Sequence, residues 1–443
     1  MQPKSTFTFT GYTWSQTEGK ATFTYKIDHN NELFTFSEVL TLPKDTRATD
    51  VPEELLKNLF IHVSLALGVS YYKLFCPKEI MLVGINLTKE QAAFWNTVYT
   101  KGLGEFFYQN QIDFQGLIAF PFSEAASSSA ISLPRQDRSL VGIGGGKDSI
   151  VAGELLKAQH KQFTNFVINQ HPIRDEIITL LGGGEITVSR KIDPRLFELN
   201  KRSDTYNGHI PVSAQYAFIG ILLGALYDYR YIVVSNEHSS NYGNVMYQGM
   251  EVNHQWSKSL EFETLFQDYV RQYITPDVTY FSLLRPLTEL AIVKRFVQHP
   301  QYFPHFSSCN RNFKITGEGQ KQKWCGECPK CAFAFAMLAA FLPKEQLVNI
   351  FGQNLFAKEA LLQTYKELLG VAAIKPFDCV GTPDEVRVAF YLAMQKGEYT
   401  NDVSMQFFQK EVLPQTENIE QLQKQQFQKV AEHRIPKEFQ NIV

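Results

Sequence analysis

An apolar segment that runs into three consecutive glycines and then into a helix-forming stretch constrains the fold of this chain more than any other feature. The apolar segment covers residues 139–143, and it is followed by Gly144, Gly145, Gly146, Lys147, Asp148 and Ser149. Glycines permit positive φ angles and close backbone approach to a ligand, and a helix amino terminus presents free amides to an anion. The pattern predicts a phosphate-binding loop, with a glycine-rich turn that binds nothing as the alternative.

Short β-rich segments alternate with helical segments around this loop. The predicted strands are residues 139–143, 163–169, 185–188 and 231–235, and the predicted helices are residues 149–159 and 213–226. Such alternation is typical of a parallel sheet covered by helices. The expected fold class is therefore α/β, with a doubly wound parallel sheet at its centre.

The remaining segments suggest four regions. Residues 1–132 form an α+β domain, with strands at 7–13, 21–27 and 33–42 and helices at 52–67 and 88–107. Residues 133–300 contain the glycine loop, residues 301–345 are rich in cysteine, and residues 346–443 are mostly helical. A Ser/Ala-rich stretch at residues 123–132 is the expected linker.

Charge and hydropathy exclude several classes of protein. The 443 residues include 43 basic and 45 acidic side chains, so the chain lacks the basic excess of a general nucleic-acid binder. It also lacks a signal-peptide pattern and an apolar run long enough to cross a bilayer. We expect a cytoplasmic protein without membrane contact, and nucleic acid is an unlikely partner on these grounds.

Two further features predict binding sites. The loop at residues 235–241 follows an apolar strand, where open α/β sheets bind ligands, so Asn236 and Glu237 are candidates for substrate or magnesium. An ordinary polar loop is the alternative for that segment. Four cysteines suit a closed structural zinc site with four thiolates, namely Cys309, Cys325, Cys328 and Cys331. An iron–sulfur cluster and four unligated thiols remain alternatives, and nearby Lys314, Lys321, Lys323 and Lys330 are expected to favour thiolates.

The glycine loop is not a Walker A loop, because only three residues lie between Gly142 and Gly146 and Asp148 follows Lys147. It resembles the PP-loop of ATP pyrophosphatases, Ser-Gly-Gly-x-Asp-Ser, with Gly144 in the place of the first serine. Further strings resemble the UDP-N-acetylmuramoyl-L-alanyl-L-glutamate epimerase family, MurL, at residues 71–73, 192–197, 207–212, 235–237, 252–259, 281–287 and 375–377.

That resemblance implies a function in peptidoglycan precursor synthesis. The family inverts the terminal L-glutamate of UDP-N-acetylmuramoyl-L-alanyl-L-glutamate to D-glutamate in an ATP-dependent reaction that releases AMP and pyrophosphate. It implies a carboxyl adenylate, ATP and Mg²⁺ as cofactors, structural Zn²⁺, and a MurD-like ligase that supplies the L-glutamate substrate. Two alternatives stay open, a nucleobase- or RNA-modifying enzyme similar to 7-cyano-7-deazaguanine synthase and a non-enzymatic nucleotide-dependent scaffold.

The implied chemistry assigns candidate roles to individual residues. Residues 144–149 are expected to bind ATP, with Lys147 or Arg285 offsetting charge on the pyrophosphate leaving group. The candidates for substrate binding are Arg174, Arg195, Asn236, Lys258 and Arg285. The candidates for catalysis, including proton transfer at Cα, are His209, His254, Lys258 and Glu237. A thiol pair formed by Cys76 and Cys379 is a further alternative for proton transfer.

Overall fold

A nine-stranded mixed sheet organises the chain in a computed structural model that describes residues 5–313, 322–372 and 374–443. The strands of this sheet are β1 (Ser5–Ser15), β2 (Lys20–His29), β3 (Glu32–Thr41), β4 (Glu79–Leu82), β5 (Ser139–Gly142), β6 (Phe163–Ile168), β7 (Gly184–Lys191), β8 (Tyr231–Val234) and β11 (Thr279–Ser282). A separate hairpin pairs β9 (Val245–Tyr247) with β10 (Met250–Val252).

The parallel half of the sheet has the order β11-β8-β5-β6-β7. All four strand pairs in this half are parallel, so the carboxyl ends of the five strands lie at one edge. The chain starts in the middle with β5, adds β6 and β7 on one side, and then adds β8 and β11 on the other. This is the strand order of a doubly wound sheet, and the loop after β5 lies at its switch point, where such sheets bind ligands.

The amino-terminal strands extend the same sheet. Strands β1, β2 and β3 form an antiparallel meander, and β4 adds to β1 in parallel. Strand β3 then pairs antiparallel with β7 through the positions from Val39↔Lys191 to Thr41↔Ser189. Strands from before and after residue 132 therefore belong to one hydrogen-bonded sheet. The domain boundary expected at residue 132 stays a prediction.

Helices cover both faces of the sheet. They are α1 (Glu53–Tyr72), α2 (Lys89–Gly102), α3 (Gly104–Gln109), α4 (Lys147–Ala158), α5 (Pro172–Leu181), α6 (Pro194–Leu199), α7 (Val212–Tyr227), α8 (Leu260–Tyr273), α9 (Glu289–Phe296), α10 (Pro329–Ala339), α11 (Lys344–Phe351), α12 (Leu362–Leu368), α13 (Pro383–Gln395), α14 (Val403–Phe407) and α15 (Ile419–Gln426). Within the described residues, none combines the length and the apolar character that crossing a bilayer requires.

Two hydrophobic cores result from the alternation of side chains along the parallel strands. Leu140 and Ile232 point to the core that α1, α7 and α8 cover, whereas Val141 and Val233 point to the core that α4, α5, α9 and the later helices cover. The first core also contains the apolar face of the amino-terminal meander, for example Phe7. The amino-terminal strands and the parallel strands therefore share one hydrophobic core on this face of the sheet.

The predicted elements agree with this architecture, with one difference in the first region. The helical pattern predicted over residues 88–107 is two helices, α2 and α3, because Leu103 leaves helical geometry with φ −95° and ψ 10°. Helix α2 begins with a capping box in which Thr88 and Gln91 satisfy each other's backbone amides. The break aims α3 toward the hairpin of β9 and β10, which places Glu105 near the site described below.

Candidate active site

A cavity of about 320 Å³ opens at the carboxyl ends of the parallel strands. Its lining includes the glycine loop after β5, the loop after β8, residues 307–313 and the stretch that contains Cys379, together with residues at the end of β6 and on α5 and α7. Among the predicted site residues, those in the lining are Gly144, Gly146, Asp148, Ser149, Arg174, Asn236, Glu237 and Lys258. The structure thus brings most of the sequence candidates to one place.

The glycine loop is shaped to leave room above the start of α4. Gly145 has φ +92°, and a Cβ there would lie 3.1 Å from the Ile173 side chain, so glycine is required on both conformational and steric grounds. A Cβ at Gly144 would meet no atom within 4 Å, so the loop is open to the cavity at that point. Helix α4 begins directly afterwards and directs its amino terminus toward this space.

Three carboxylates meet beside the loop. Oxygen atoms of Asp148, Glu237 and Glu289 lie within 4.8 Å of one another, and Lys147 forms ion pairs with both Asp148 and Glu289. Burial, opposed by Lys147 and reinforced by Asp148 and Glu237, raises the pKa of Glu289 to about 7. The cluster has the oxygen ligands that a hard divalent cation prefers. Lys147 itself does not line the cavity.

Arg285 occupies a different place from the anion clamp expected of it. Its side chain is completely buried, and its guanidinium donates to Glu263, to the backbone oxygens of Glu237 and Lys258, and to the Ser240 hydroxyl at 2.5–3.1 Å. All five donors are used, so none remains for a phosphate or carboxylate. Arg285 instead holds the backbone of two cavity residues in position.

The other two arginine candidates also differ from each other. Arg174 lines the cavity, donates through Nη1 to the Ile168 oxygen at 2.8 Å, and stacks on Phe313; its Nε has no hydrogen-bond partner among the described residues. Arg195 is absent from the lining, and its half-exposed guanidinium is engaged by Asp193 at 2.7 and 3.0 Å. The expected anion clamp is thus available at Arg174 and not at Arg195.

A second cluster of polar side chains reaches the cavity through Lys258 and Cys379. Lys258 Nζ lies 3.1 Å from the Cys379 sulfur, and His254 hydrogen-bonds Glu105 through Nδ1 and interacts electrostatically with Cys379. His209 packs against His254 with ring centroids 4.4 Å apart, and its Nδ1 lies 3.6 Å from Glu105. We call Glu105, His254, Lys258 and Cys379 the thiol cluster.

Charges in the thiol cluster are set by these contacts. Burial alone would raise the pKa of the Cys379 thiol, but the Lys258 charge and the neighbouring His254 lower that pKa to about 5. Burial is likewise outweighed at His254, where Cys379 and Glu105 raise the pKa to about 9. Burial and the charges of His254 and Lys258 hold the pKa of His209 well below its usual value. At neutral pH the cluster therefore contains a thiolate and an imidazolium, and the adjacent His209 is a neutral imidazole.

Cys76 and Cys379, the alternative thiol pair for proton transfer, lie in different surroundings. The Cys76 sulfur is buried and donates to the Lys73 oxygen at 3.6 Å, whereas Cys379 faces the cavity beside Lys258. Burial, only partly opposed by Lys73, raises the pKa of Cys76. The two thiols therefore have different neighbours and opposite charge states.

The remaining cysteines form a tight group below the cavity wall. The sulfur atoms of Cys309, Cys325, Cys328 and Cys331 all lie within 4.8 Å of one another, with two contacts at 3.5 and 3.6 Å. Four sulfurs held about 2.3 Å from a tetrahedral zinc ion are about 3.8 Å apart, so the group fits that metal. Lys323 and Lys330 bond to other partners, Glu176 and the Cys379 oxygen, and Lys314 and Lys321 lie outside the described residues.

The cysteine group is connected to the glycine loop through one short segment. The backbone amide of Cys309 donates to the Ser307 hydroxyl at 3.1 Å, and the Ser307 amide donates to the Gly145 oxygen at 3.0 Å. Asn310 donates to Asp378 at 2.8 Å, next to Cys379. A metal ion bound by the four cysteines would therefore also fix the positions of the glycine loop and of the segment at Asp378 and Cys379, which form two walls of the cavity.

Two residues of the site were not among the sequence candidates. Glu289 follows the N-cap residue Thr288 at the start of α9, after the last parallel strand, and its position at the ligand-binding edge of the sheet was a usable signal. Glu105 lies in the six-residue helix α3, far from the other members in sequence. No local pattern indicates that this carboxylate meets His254.

Comparisons with known proteins agree with the geometry. The chain matches the MurL N-terminal domain over residues 1–283 and the MurL C-terminal domain over residues 305–424. A UDP-N-acetyl-alpha-D-muramoyl-L-alanyl-L-glutamate epimerase of Xanthomonas oryzae pv. oryzae is 38% identical over 98% of this chain and 95% of the relative. A relative of the same name from Micromonospora sp. is 36% identical over 89% of this chain and 88% of the relative.

Proposed function

This chain belongs to the MurL family of UDP-N-acetyl-α-D-muramoyl-L-alanyl-L-glutamate epimerases, and from that premise we propose that it activates the terminal glutamate with ATP before inverting it. The enzyme is an isomerase of the UDP-muramoyl dipeptide in peptidoglycan precursor synthesis. The proposed activated species is a carboxyl adenylate, formed with release of pyrophosphate. AMP leaves in a later step.

The need for activation follows from the acidity of the substrate. A carboxylate next to Cα already carries a negative charge, so removal of the α-proton would place a second charge beside it. Conversion of the carboxylate to a neutral acyl group removes this repulsion and lets the carbonyl accept the electron pair. An enzyme that inverts this centre therefore benefits from a nucleotide site within the same cavity.

The observation that carries the proposal is the convergence of three features on one cavity. The open glycine loop and the start of α4 suit the phosphates of ATP, and the three-carboxylate cluster lies beside them. Asp148, Glu237 and Glu289 would hold Mg²⁺, which supplies positive charge to the phosphates when bound. Arg174, which lines the cavity, would bind an anionic group of the substrate.

The acid–base groups proposed for inversion, His209 and His254, lie outside the cavity lining, next to Lys258 and Cys379, which are part of it. His209 is neutral and His254 is protonated at pH 7, so the adjacent pair offers an acceptor and a donor for protons. Lys258 lines the cavity, and its charge interacts with both Cys379 and Glu237. We assign proton transfer to the two histidines. The role we assign to Lys258 is to stabilise the anionic groups that face it.

Two further assignments complete the proposal. The cysteine group would bind one structural Zn²⁺, since four thiolates leave no open position for substrate. Such a site requires a reducing compartment, which supports the cytoplasm as the place of the reaction. The L-glutamate-containing substrate requires a MurD-like ligase that adds L-glutamate to the muramoyl-alanine precursor.

The test uses zinc-replete enzyme with ATP, Mg²⁺ and UDP-N-acetylmuramoyl-L-alanyl-L-glutamate in deuterated water. We expect AMP, pyrophosphate and deuterium at the glutamate Cα, together with substrate-dependent exchange of labelled pyrophosphate into ATP. UDP-N-acetylmuramoyl-L-alanine, which lacks the glutamate, is the matched control and should give none of these signals. Deuterium incorporation without any consumption of ATP would refute activation by adenylation.

A further inference from the structure

The thiol cluster has the connectivity of a nucleophile, a base and an orienting carboxylate. Cys379 and His254 interact electrostatically, and His254 Nδ1 bonds to Glu105, so a carboxylate fixes the imidazole that acts on the thiol. Covalent catalysis by serine and cysteine enzymes uses this arrangement on unrelated folds, and it is recognised by geometry and not by order in the chain. Here the three residues come from α3, the segment after β10 and the segment before α13.

The thiol also has access to the cavity in which the adenylate would form. Cys379, Lys258, Asp148 and Ser149 all contribute to its lining. Lys258 lies 3.1 Å from the Cys379 sulfur and interacts electrostatically with Glu237 and Asp148. One ammonium group therefore separates the thiol from the carboxylate cluster beside the glycine loop.

We propose that Cys379 is a covalent nucleophile that accepts the acyl group of the adenylated glutamate as a thioester, with His254 and Glu105 as its imidazole and carboxylate partners. This inference rests on the adenylation proposed above. The thiolate attacks the acyl carbon, an S–C bond forms, the C–O bond to AMP breaks, and AMP leaves with the electron pair. After inversion at Cα, water attacks the thioester carbon, the S–C bond breaks, the glutamate carboxylate and the thiolate form, and both protons of the water molecule pass to the solvent.

The thioester serves the inversion in two ways. It keeps the acyl group neutral while AMP departs, so the Cα–H bond stays acidified after the nucleotide has gone. It also removes the negative charge of the Cys379 thiolate, which is one of the two anions that raise the pKa of His254. His254 is then brought closer to neutrality, where a group both accepts and donates protons efficiently.

The decisive variant is Cys379→Ala in the zinc-loaded full chain, with Cys379→Ser as a second variant that keeps a polar atom at the position. Cys76→Ala is the matched control, because Cys76 is the other cysteine outside the metal group and does not line the cavity. The probe is UDP-N-acetylmuramoyl-L-alanyl-L-glutamate with ATP and Mg²⁺. Turnover is quenched in acid, and intact protein mass, AMP release, pyrophosphate–ATP exchange and deuterium at Cα are measured.

We expect wild type and Cys76→Ala to carry an acyl adduct that neutral hydroxylamine removes. Both Cys379 variants should lack the adduct and lose AMP release and Cα exchange by at least about 1,000-fold, while pyrophosphate–ATP exchange stays within about tenfold of wild type. Retained exchange also shows that the variants are folded.

Two outcomes overturn the thioester and leave adenylation standing. In one, Cα exchange persists in Cys379→Ala at more than about a tenth of the wild-type rate. In the other, the Cys379 variants lose Cα exchange but wild type forms no hydroxylamine-sensitive adduct, which makes the thiol a proton carrier. Absence of pyrophosphate–ATP exchange in wild type itself removes the adenylate and the thioester together.

Discussion

The two sides of the cavity are built in different ways. The glycine-loop side comes mostly from six consecutive residues, 144–149, whose geometry is set by one turn and the start of one helix. The thiol cluster is assembled from three separate segments, at residue 105, residues 254–258 and residue 379. The first side buries negative charge, which raises the pKa of Glu289, and the second surrounds a thiolate with cations, which lowers the pKa of Cys379.

This difference indicates a division of labour. A loop of consecutive residues suffices to bind phosphates, because backbone amides and a helix amino terminus supply the contacts. Acid–base and nucleophilic groups need partners at defined distances from several directions, and only tertiary structure supplies these. The predictions below separate the two sides, beginning with the change that should disrupt both.

Loss of the metal group should have the largest effect. Cys331→Ser removes one of four thiolates, and the segment from Ser307 to Asn310 that contacts both sides of the cavity loses its anchor. Zinc contributes about 10–16 kcal/mol in small Cys-rich sites, so we expect a loss of several kcal/mol of stability and of both half-reactions. Metal analysis and thermal unfolding measure this, with Cys76→Ser as control. Full activity in a zinc-free variant would contradict the proposed link.

Glu237→Gln should strongly impair the reaction with ATP while leaving the thiol cluster intact. The substitution removes one of three carboxylates around the expected cation, and we predict a loss of about 100- to 1,000-fold in pyrophosphate–ATP exchange. Alkylation of Cys379 by iodoacetamide should change by less than about threefold. Glu420→Gln on the exposed face of α15 is the control. Equal loss of exchange and alkylation would show that the two sides are not separable.

Arg285 and Arg195 allow a direct comparison of two expected anion clamps. Arg285→Met leaves Glu263 buried without its partner, and breaking a buried ion pair costs about 3–5 kcal/mol. Arg195→Met at a half-exposed pair should cost about 1 kcal/mol or less. Denaturant unfolding measures both values. Unchanged stability in Arg285→Met, with weakened substrate binding, would restore the anion-clamp interpretation for that residue.

The sequence predicted one side of the site much better than the other. Hydrophobic periodicity and the three glycines were sufficient for the parallel sheet, the loop and α4, because these depend on local patterns. The spacing of Cys325, Cys328 and Cys331 likewise indicated the metal group. Continuity of the sheet through β3 and β7 was not predictable, since it depends on pairing between residues about 150 positions apart in the chain.

The catalytic candidates show that the sequence indicated residue types but not the contacts between them. His209 and His254 were identified as residue types suited to proton transfer, but their contact with each other and with Glu105 arises only from packing of α3 against the β9–β10 hairpin. Arg285 has the residue type of an anion clamp and is instead saturated by buried partners. Residue type therefore suggested which chemistry each side chain could perform. The buried contacts in the structure determine which of those side chains are available for it.

The smallest predicted effect concerns the charge of Cys379. Lys258, His254 and Lys330 face or approach this thiol, and they hold its pKa at about 5, below the ordinary thiol value. A depressed pKa keeps the thiolate populated at every pH above about 5, so the rate of iodoacetamide alkylation should be nearly constant from about pH 6 to pH 8. An ordinary thiol would react about tenfold faster for each pH unit over the same range.

Lys258→Gln sharpens this test, because it removes the largest charge acting on the sulfur while His254 remains. The pKa of Cys379 should rise, so the alkylation rate at pH 6 should fall by roughly tenfold and the rate should now increase between pH 6 and pH 8. Lys101→Gln, at an exposed pair with Glu261, is the matched control and should leave the flat profile unchanged. A steep profile in wild type would place the thiol in its neutral form and remove the thiolate from the proposed chemistry. A flat profile that persists in Lys258→Gln would instead assign the stabilising charge to His254 and Lys330.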